Sequence, residues 1–168
     1  MKKVYLDMDG VLCDFQKRYE SMFGPLHREE RDDKEWSVNW EQFVTTEQFK
    51  TLEWFPGGRS LLARLVFLTQ RAENLEILSS SGGLQFHDQV KEQKLHWLNE
   101  NGVFFKANIV PGRTYKAQYA TPDTILIDDT PEIIDAFNAA GGHGILHTNV
   151  DQTMALVSEI IRPGRPSA

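Results

Sequence analysis

Apolar residues in this chain fall into short runs separated by stretches of helical spacing. Residues 3–8, 75–79, 104–110, 124–128 and 143–147 are brief, apolar and rich in β-branched or aromatic side chains, and read as strands. Between them, 59–72, 86–101 and 131–140 carry helical periodicity. Strands alternating with helices predict an α/β protein with a parallel sheet covered on both faces. Ligands of such sheets bind beyond the carboxyl ends of the strands, near the point where the strand order reverses. No internal repeat is visible.

Segment 16–55 breaks the alternation. It is charged around "HREERDDKE" and then aromatic, with Trp36, Trp40, Phe43, Phe49, Trp54 and Phe55. The spacing of Trp36, Trp40 and Phe43 puts them on one helical face. Thr45 with Gln48 fits the capping box of a further short helix, and "FPGG" at 55–58 closes the segment. The predicted organisation is an α/β core over 1–15 and 56–162, a small helical cap over 16–55, and a flexible tail over 163–168. A cap inserted directly after the first strand sits over the carboxyl edge of the sheet, which is a lid's position.

Composition narrows the function classes. The 168 residues are 40% hydrophobic and 25% charged, within the range of globular proteins. A formal net charge of -6 argues against sequence-independent binding to duplex nucleic acid, which needs a basic surface. It leaves room for a small anionic substrate held beside a metal. Cys13 is the only cysteine, so an internal disulfide and a cysteine zinc site are excluded, and its apolar surroundings make it a core residue rather than a nucleophile. The "MKK" start resembles a signal n-region, but Asp7 and Asp9 interrupt the apolar run at once. With no stretch of membrane-spanning length, the expected location is cytoplasmic and without a membrane partner.

The candidate chemistry lies at strand ends. "VYLDMDGVLCDF", 4–15, runs as a buried strand into Asp7, Asp9 and Asp14. Alternation sends Asp7 and Asp9 to the same side, where like charges repel and a cation is needed to offset them. "EILSSSGG", 76–83, ends a strand in three hydroxyls and two glycines, groups suited to holding phosphate oxygens. "TILIDDTPE", 124–132, ends another in adjacent acids, Asp128 and Asp129. Two acidic pairs facing each other across a sheet edge suit a hard divalent cation with oxygen ligands.

"LDMDGVLCDF", the strand ending at Ser79, a lysine on the following helix and "ILIDD" together resemble the four motifs of the haloacid dehalogenase-type phosphatases, in order. More narrowly, "DMDGVLCDF", the aromatic insertion before "PGG" and "KLHWL" resemble the 5'(3')-deoxyribonucleotidases and their phage and bacterial relatives. The resemblance implies a Rossmann-like fold and a Mg²⁺-dependent phosphatase for nucleoside monophosphates. It implies Asp7 as nucleophile, Asp9 as general acid/base, Ser79 on the phosphate, and Mg²⁺ held by Asp7, the Asp9 backbone carbonyl and Asp128. Ser79 stands where that branch often carries Thr. Lys94 is the expected catalytic lysine, with Lys91 and Lys116 as competitors and Asp129 as its ion-pair partner. Gly10, Phe15, Ser80 and Arg113 are expected at the substrate.

Trp36 and Trp40 read either as a stacking surface for a base or as the insertion's own core, and His143 and His147 read as structural. The alternatives are a polynucleotide 3'-phosphatase, disfavoured by the acidic balance, and a non-catalytic phosphoryl-binding module, disfavoured by the presence of both Asp7 and Asp9. The chain is compatible with a monomer or a homodimer.

Overall fold

The computed structural model describes residues 2–28 and 32–164. Five strands form one parallel sheet: β1 (Lys3–Leu6), β2 (Leu75–Ser80), β3 (Ala107–Val110), β4 (Thr124–Asp128) and β5 (His143–Leu146). Their order is β3-β2-β1-β4-β5, so the chain leaves β1 towards one edge and later returns to build the other. The reversal lies between β1 and β4, which pair from Lys3 with Thr124 to Leu6 with Ile127. The carboxyl ends of these two strands therefore frame the crevice in which ligands of such sheets bind.

Both sheet faces are covered, as the alternation predicts. Val4, Leu6, Ile77, Ile125 and Ile127 pack on one side with residues of α3 (Gly58–Thr69), α4 (His87–Glu100) and α6 (Val150–Ile161). Tyr5, Leu78 and Leu126 pack on the other with α5 (Pro131–Ala139). Each fully buried Leu or Ile contributes about 1.5–3 kcal/mol, so the period-2 alternation of β1 and β4 fixes their register firmly. None of the helices among the described residues is long and apolar enough to cross a membrane.

Element limits differ from expectation where local bonding intervenes. The β1 ladder stops at Leu6 rather than residue 8, because the Met8 carbonyl accepts from the amides of Val11, Leu12 and Cys13 and turns the chain. The run at 104–110 pairs only from Ala107; Phe104 is exposed, and apolar character without a ladder partner does not make a strand. Thr45 does not cap a new helix. It is the last residue of α2 (Asp33–Thr45) and its hydroxyl donates to the Glu41 carbonyl, while a short 3₁₀ turn follows at Gln48–Thr51. Helix α6, capped by the Asn149 side chain at the amide of Gln152, was not expected. Of the expected tail, Pro163 and Gly164 follow α6 and residues 165–168 lie outside the described residues.

The segment between β1 and α3 leaves and returns through a narrow neck. Cys13 bridges Trp54 in antiparallel fashion, flanked by bonds from Asp14 N to Glu53 O and from Phe55 N to Leu12 O. Beyond the neck lie α1 (Phe15–Phe23), α2 and the 3₁₀ turn. They are fastened to α4 by Gln93, whose buried amide donates to Val44 O at 2.8 Å and accepts from Phe49 N at 3.3 Å. The Trp97 indole adds a bond to Leu52 O at 2.8 Å.

Candidate active site

Three carboxylates meet at the reversal point. Oxygens of Asp7, Asp128 and Asp129 lie within 4.8 Å of one another. Asp7 extends β1, its amide still bonded to Ile127 O, and Asp128 ends β4. Lys116, from the 3₁₀ segment Arg113–Tyr119 after β3, enters this cluster almost fully buried. Its Nζ lies 2.9 Å from Asp7 Oδ1 and 2.7 Å from Asp128 Oδ2. Burial pulls the Lys116 pKa down, but Asp7 and Asp128 together outweigh it and the ammonium is held above its usual range. One cation does not balance the group. Burial first, and then the charge of Asp7, push the Asp128 carboxyl up to about 7 against the pull of Lys116. The same two influences raise Asp129, which accepts from the Thr130 hydroxyl at 3.2 Å. An all-oxygen cluster with excess negative charge fits a small hard divalent cation.

A second constellation lies beside the first. Buried Lys94 donates to Asp9 Oδ2 at 2.7 Å, to Ser79 Oγ at 2.8 Å and to the Ser80 carbonyl at 2.8 Å. The ion pair expected between a lysine and Asp129 is therefore not formed; Asp9 takes Lys94, and Asp7 with Asp128 takes Lys116. Because Asp9 Oδ2 is engaged by Lys94, its carboxylate stands outside the metal-like cluster, where Asp129 appears instead. Asp9 Oδ1 is buried with no hydrogen-bond partner. Gly10, at φ +77°, lets the turn close: a Cβ there would fall 2.1 Å from Asp129 Oδ2.

These groups form the floor of a cavity of about 700 Å³. Asp7, Asp9, Lys116 and Asp129 reach its surface, whereas Ser79, Lys94 and Asp128 lie beneath it. Gly10, Phe15, Ser80 and Arg113, expected at the substrate, all line it. Trp36 and Trp40 form part of the opposite wall, stacked on each other with centroids 5.7 Å apart. Trp36 also stacks on Tyr19, and Trp40 meets Phe15, Phe43 and Phe49, so the pair belongs to the segment's core and also forms a cavity wall.

A family model described as "5' nucleotidase, deoxy (Pyrimidine), cytosolic type C protein" matches residues 1–155. The chain belongs to this family. It is accordingly a 5'-nucleotidase-type hydrolase of phosphate monoesters, with both acidic pairs inside the matched region. Among solved structures, it is similar to an uncharacterised protein from Corynebacterium glutamicum, at 17% identity over 95% of this chain and 94% of that one, with a TM-score of 0.47. A hydrolase from Streptococcus pneumoniae TIGR4 is similar at 16% identity, over 96% and 99% of the two chains, with a TM-score of 0.49. No curated protein matches the chain.

Other candidates of this nucleotidase-family chain fall away from the cavity. Lys91 lies on the exposed side of α4. His147 is buried with Nδ1 2.8 Å from the Thr153 hydroxyl, and burial lowers its pKa. His143 meets the Pro122 carbonyl at 3.0 Å. Cys13 is buried, and burial followed by the charge of Asp9 pushes its thiol well above the usual range, the reverse of what a nucleophile needs. Sequence reasoning did not single out Arg28 or Gly82, which also line the cavity. Arg28 belongs to the charged "HREE" run, and the glycine to "SSSGG"; neither pattern says which way its residue faces.

Proposed function

We propose that this chain hydrolyses (deoxy)nucleoside monophosphates with a divalent cation, Mg²⁺ by its chemistry, through a phosphorylated Asp7. The observation that carries this reading is the pairing of a carboxylate and lysine floor with an aromatic wall across one cavity. In this reading residues 16–55 act as a cap that supplies that wall. Asp7, Asp128 and Asp129, with the Asp9 backbone carbonyl, would hold the cation. Bound there, it neutralises negative charge that would otherwise keep a phosphate dianion away from a carboxylate.

Asp7 attacks phosphorus, its P–O bond forming as the bond to the sugar oxygen breaks, and the displacement is divided into two easier steps. Asp9 gives its proton to the leaving oxygen and later removes one from the water that cleaves the acyl phosphate. Lys116 and Ser80, which reach the cavity, take the phosphate oxygens, and the Ser79 hydroxyl beneath them holds Lys94 in place. Lys94 fixes Asp9, Ser79 and Ser80 relative to one another.

Phosphate release from a panel of nucleoside monophosphates and sugar phosphates tests this reading. Release is expected with Mg²⁺, lost in chelator, and inhibited by Ca²⁺, whose larger and looser shell misplaces the nucleophile. Full activity in chelator removes the cation from the scheme. The wall has its own test. Trp40→Ala should lower kcat/KM for nucleoside monophosphates by about 10- to 100-fold, one stacking contact, and leave an aryl phosphate without a base far less affected. Matching losses on both substrates with a lower Tm would make the indole a packing group only.

A further inference from the structure

The loop that closes β2 is held residue by residue from behind. The Ser80 hydroxyl accepts from Gly82 N at 3.1 Å, and its carbonyl accepts from Lys94. Ser81 N donates to Val110 O at 2.8 Å. The buried Ser81 hydroxyl lies 2.7 Å from His87 Nδ1 and 3.2 Å from the Gly83 carbonyl. The other side of this loop is cavity surface, formed by Ser80, Gly82 and Gly83, whereas Ser81 and His87 do not reach it. Trp40 packs directly on the loop: a Cβ on Gly82 would come within 2.7 Å of the indole Cζ2. Gly82 at φ +83° satisfies both demands, the left-handed turn and the close approach.

Hydrogen counting gives the Ser81 contacts a direction. A hydroxyl has one proton, and a carbonyl only accepts. Both contacts are attractive only if His87 Nδ1–H donates to Ser81 and Ser81 donates to Gly83 O. The reverse assignment would set two lone-pair-bearing oxygens 3.2 Å apart in a part-buried place, with no proton between them. His87 is therefore the start of a chain of donors that ends on the backbone of the glycine loop.

We propose that His87 and Ser81 are positioning residues for the base-binding side of the cavity. By fixing the Gly83 carbonyl they hold Gly82 under Trp40, so that loop and indole present one continuous surface to the substrate. The inference rests on the reading of Trp40 as a stacking group.

Steady-state kinetics and NMR test it together. His87→Ala and Ser81→Ala should each raise KM for a nucleoside monophosphate by about 5- to 10-fold with kcat within about twofold, and leave KM for an aryl phosphate unchanged. His87→Asn, whose amide nitrogen can take the place of Nδ1 as donor, should restore most of the loss. The double variant with Trp40→Ala should fall no further than Trp40→Ala alone, because both act on one surface. Nitrogen-15 shifts of the neutral His87 ring should report a proton on Nδ1.

A KM rise of equal size on both substrates, an Asn variant no better than Ala, or a proton on Nε2 instead would overturn the positioning role. If Trp40→Ala shows a base-selective loss and His87→Ala does not, this inference fails while the stacking reading stands. If Trp40→Ala shows none, both fall.

Discussion

Asp7→Asn is expected to lower turnover by more than about 10³-fold, over 4 kcal/mol of barrier, with no loss of thermal stability. The amide keeps the shape of the side chain, and its oxygen can still accept from Lys116, 2.9 Å away in the parent. It cannot attack phosphorus. Stability should hold or rise, because the charge removed is one of those that keep the Asp128 carboxyl up at about 7. With Asp7 neutral, Asp128 is left with Lys116 as its immediate partner and ionises more readily. The paired measurement is phosphate release and Tm on the same preparation. Turnover within tenfold of the parent rejects Asp7 as nucleophile, whatever the melting curve shows.

Asp9→Asn separates the two proton transfers assigned to one carboxyl. With a nucleoside monophosphate, whose sugar oxygen is a poor leaving group, the first step should slow by about 10²- to 10⁴-fold. An aryl phosphate leaves without help, so its first step should survive while hydrolysis of the acyl phosphate, which still needs a base, lags behind. Stopped-flow mixing should then show a burst of about one aryl alcohol per enzyme, followed by a slow phase, and no burst with the nucleotide. Losses of the same size on both substrates, without a burst on either, assign Asp9 to structure. That outcome is open to the geometry, because Asp9 Oδ2 also anchors Lys94.

What the sequence made legible follows the range of the interactions involved. Asp7 and Asp128 end apolar strands, and strand alternation is a local signal, so their meeting at the sheet edge could be read directly. Lys94 was readable too, because helical spacing from Val90 to Leu98 sets its stem against packed surface. Lys116 was harder. It lies in a 3₁₀ segment without helical periodicity, and it reaches Asp7 and Asp128 only because the chain crosses from β3 over to β4. No local pattern encodes that crossing, so Lys116 stood only as a competitor, although the structure sets both lysines against the acidic groups.

Asp129 was misplaced for a related reason. Adjacent acids after a strand look alike in sequence; the turn at Gly10, packed within contact of Asp129, decides which partners it meets. The aromatic face of α2 was visible in the spacing of Trp36, Trp40 and Phe43, but spacing cannot say whether a face closes on itself or on a cavity. Here it does both.

The neck at Cys13 and Trp54 has a consequence for how such an enzyme changes over time. Every group proposed for the chemistry, from Asp7 and Asp9 to Ser79, Lys94, Lys116 and Asp128, lies outside residues 14–53, while Phe15, Trp36, Trp40 and Phe49 lie inside. To the sheet, the excursion is equivalent to a hairpin, since the chain departs and re-enters at paired residues. The aromatic wall of the cavity and the groups proposed for the reaction thus lie on separable stretches of sequence. A lineage can exchange or redecorate the stretch beyond the neck, altering the aromatic wall, and retain the carboxylate and lysine floor unchanged.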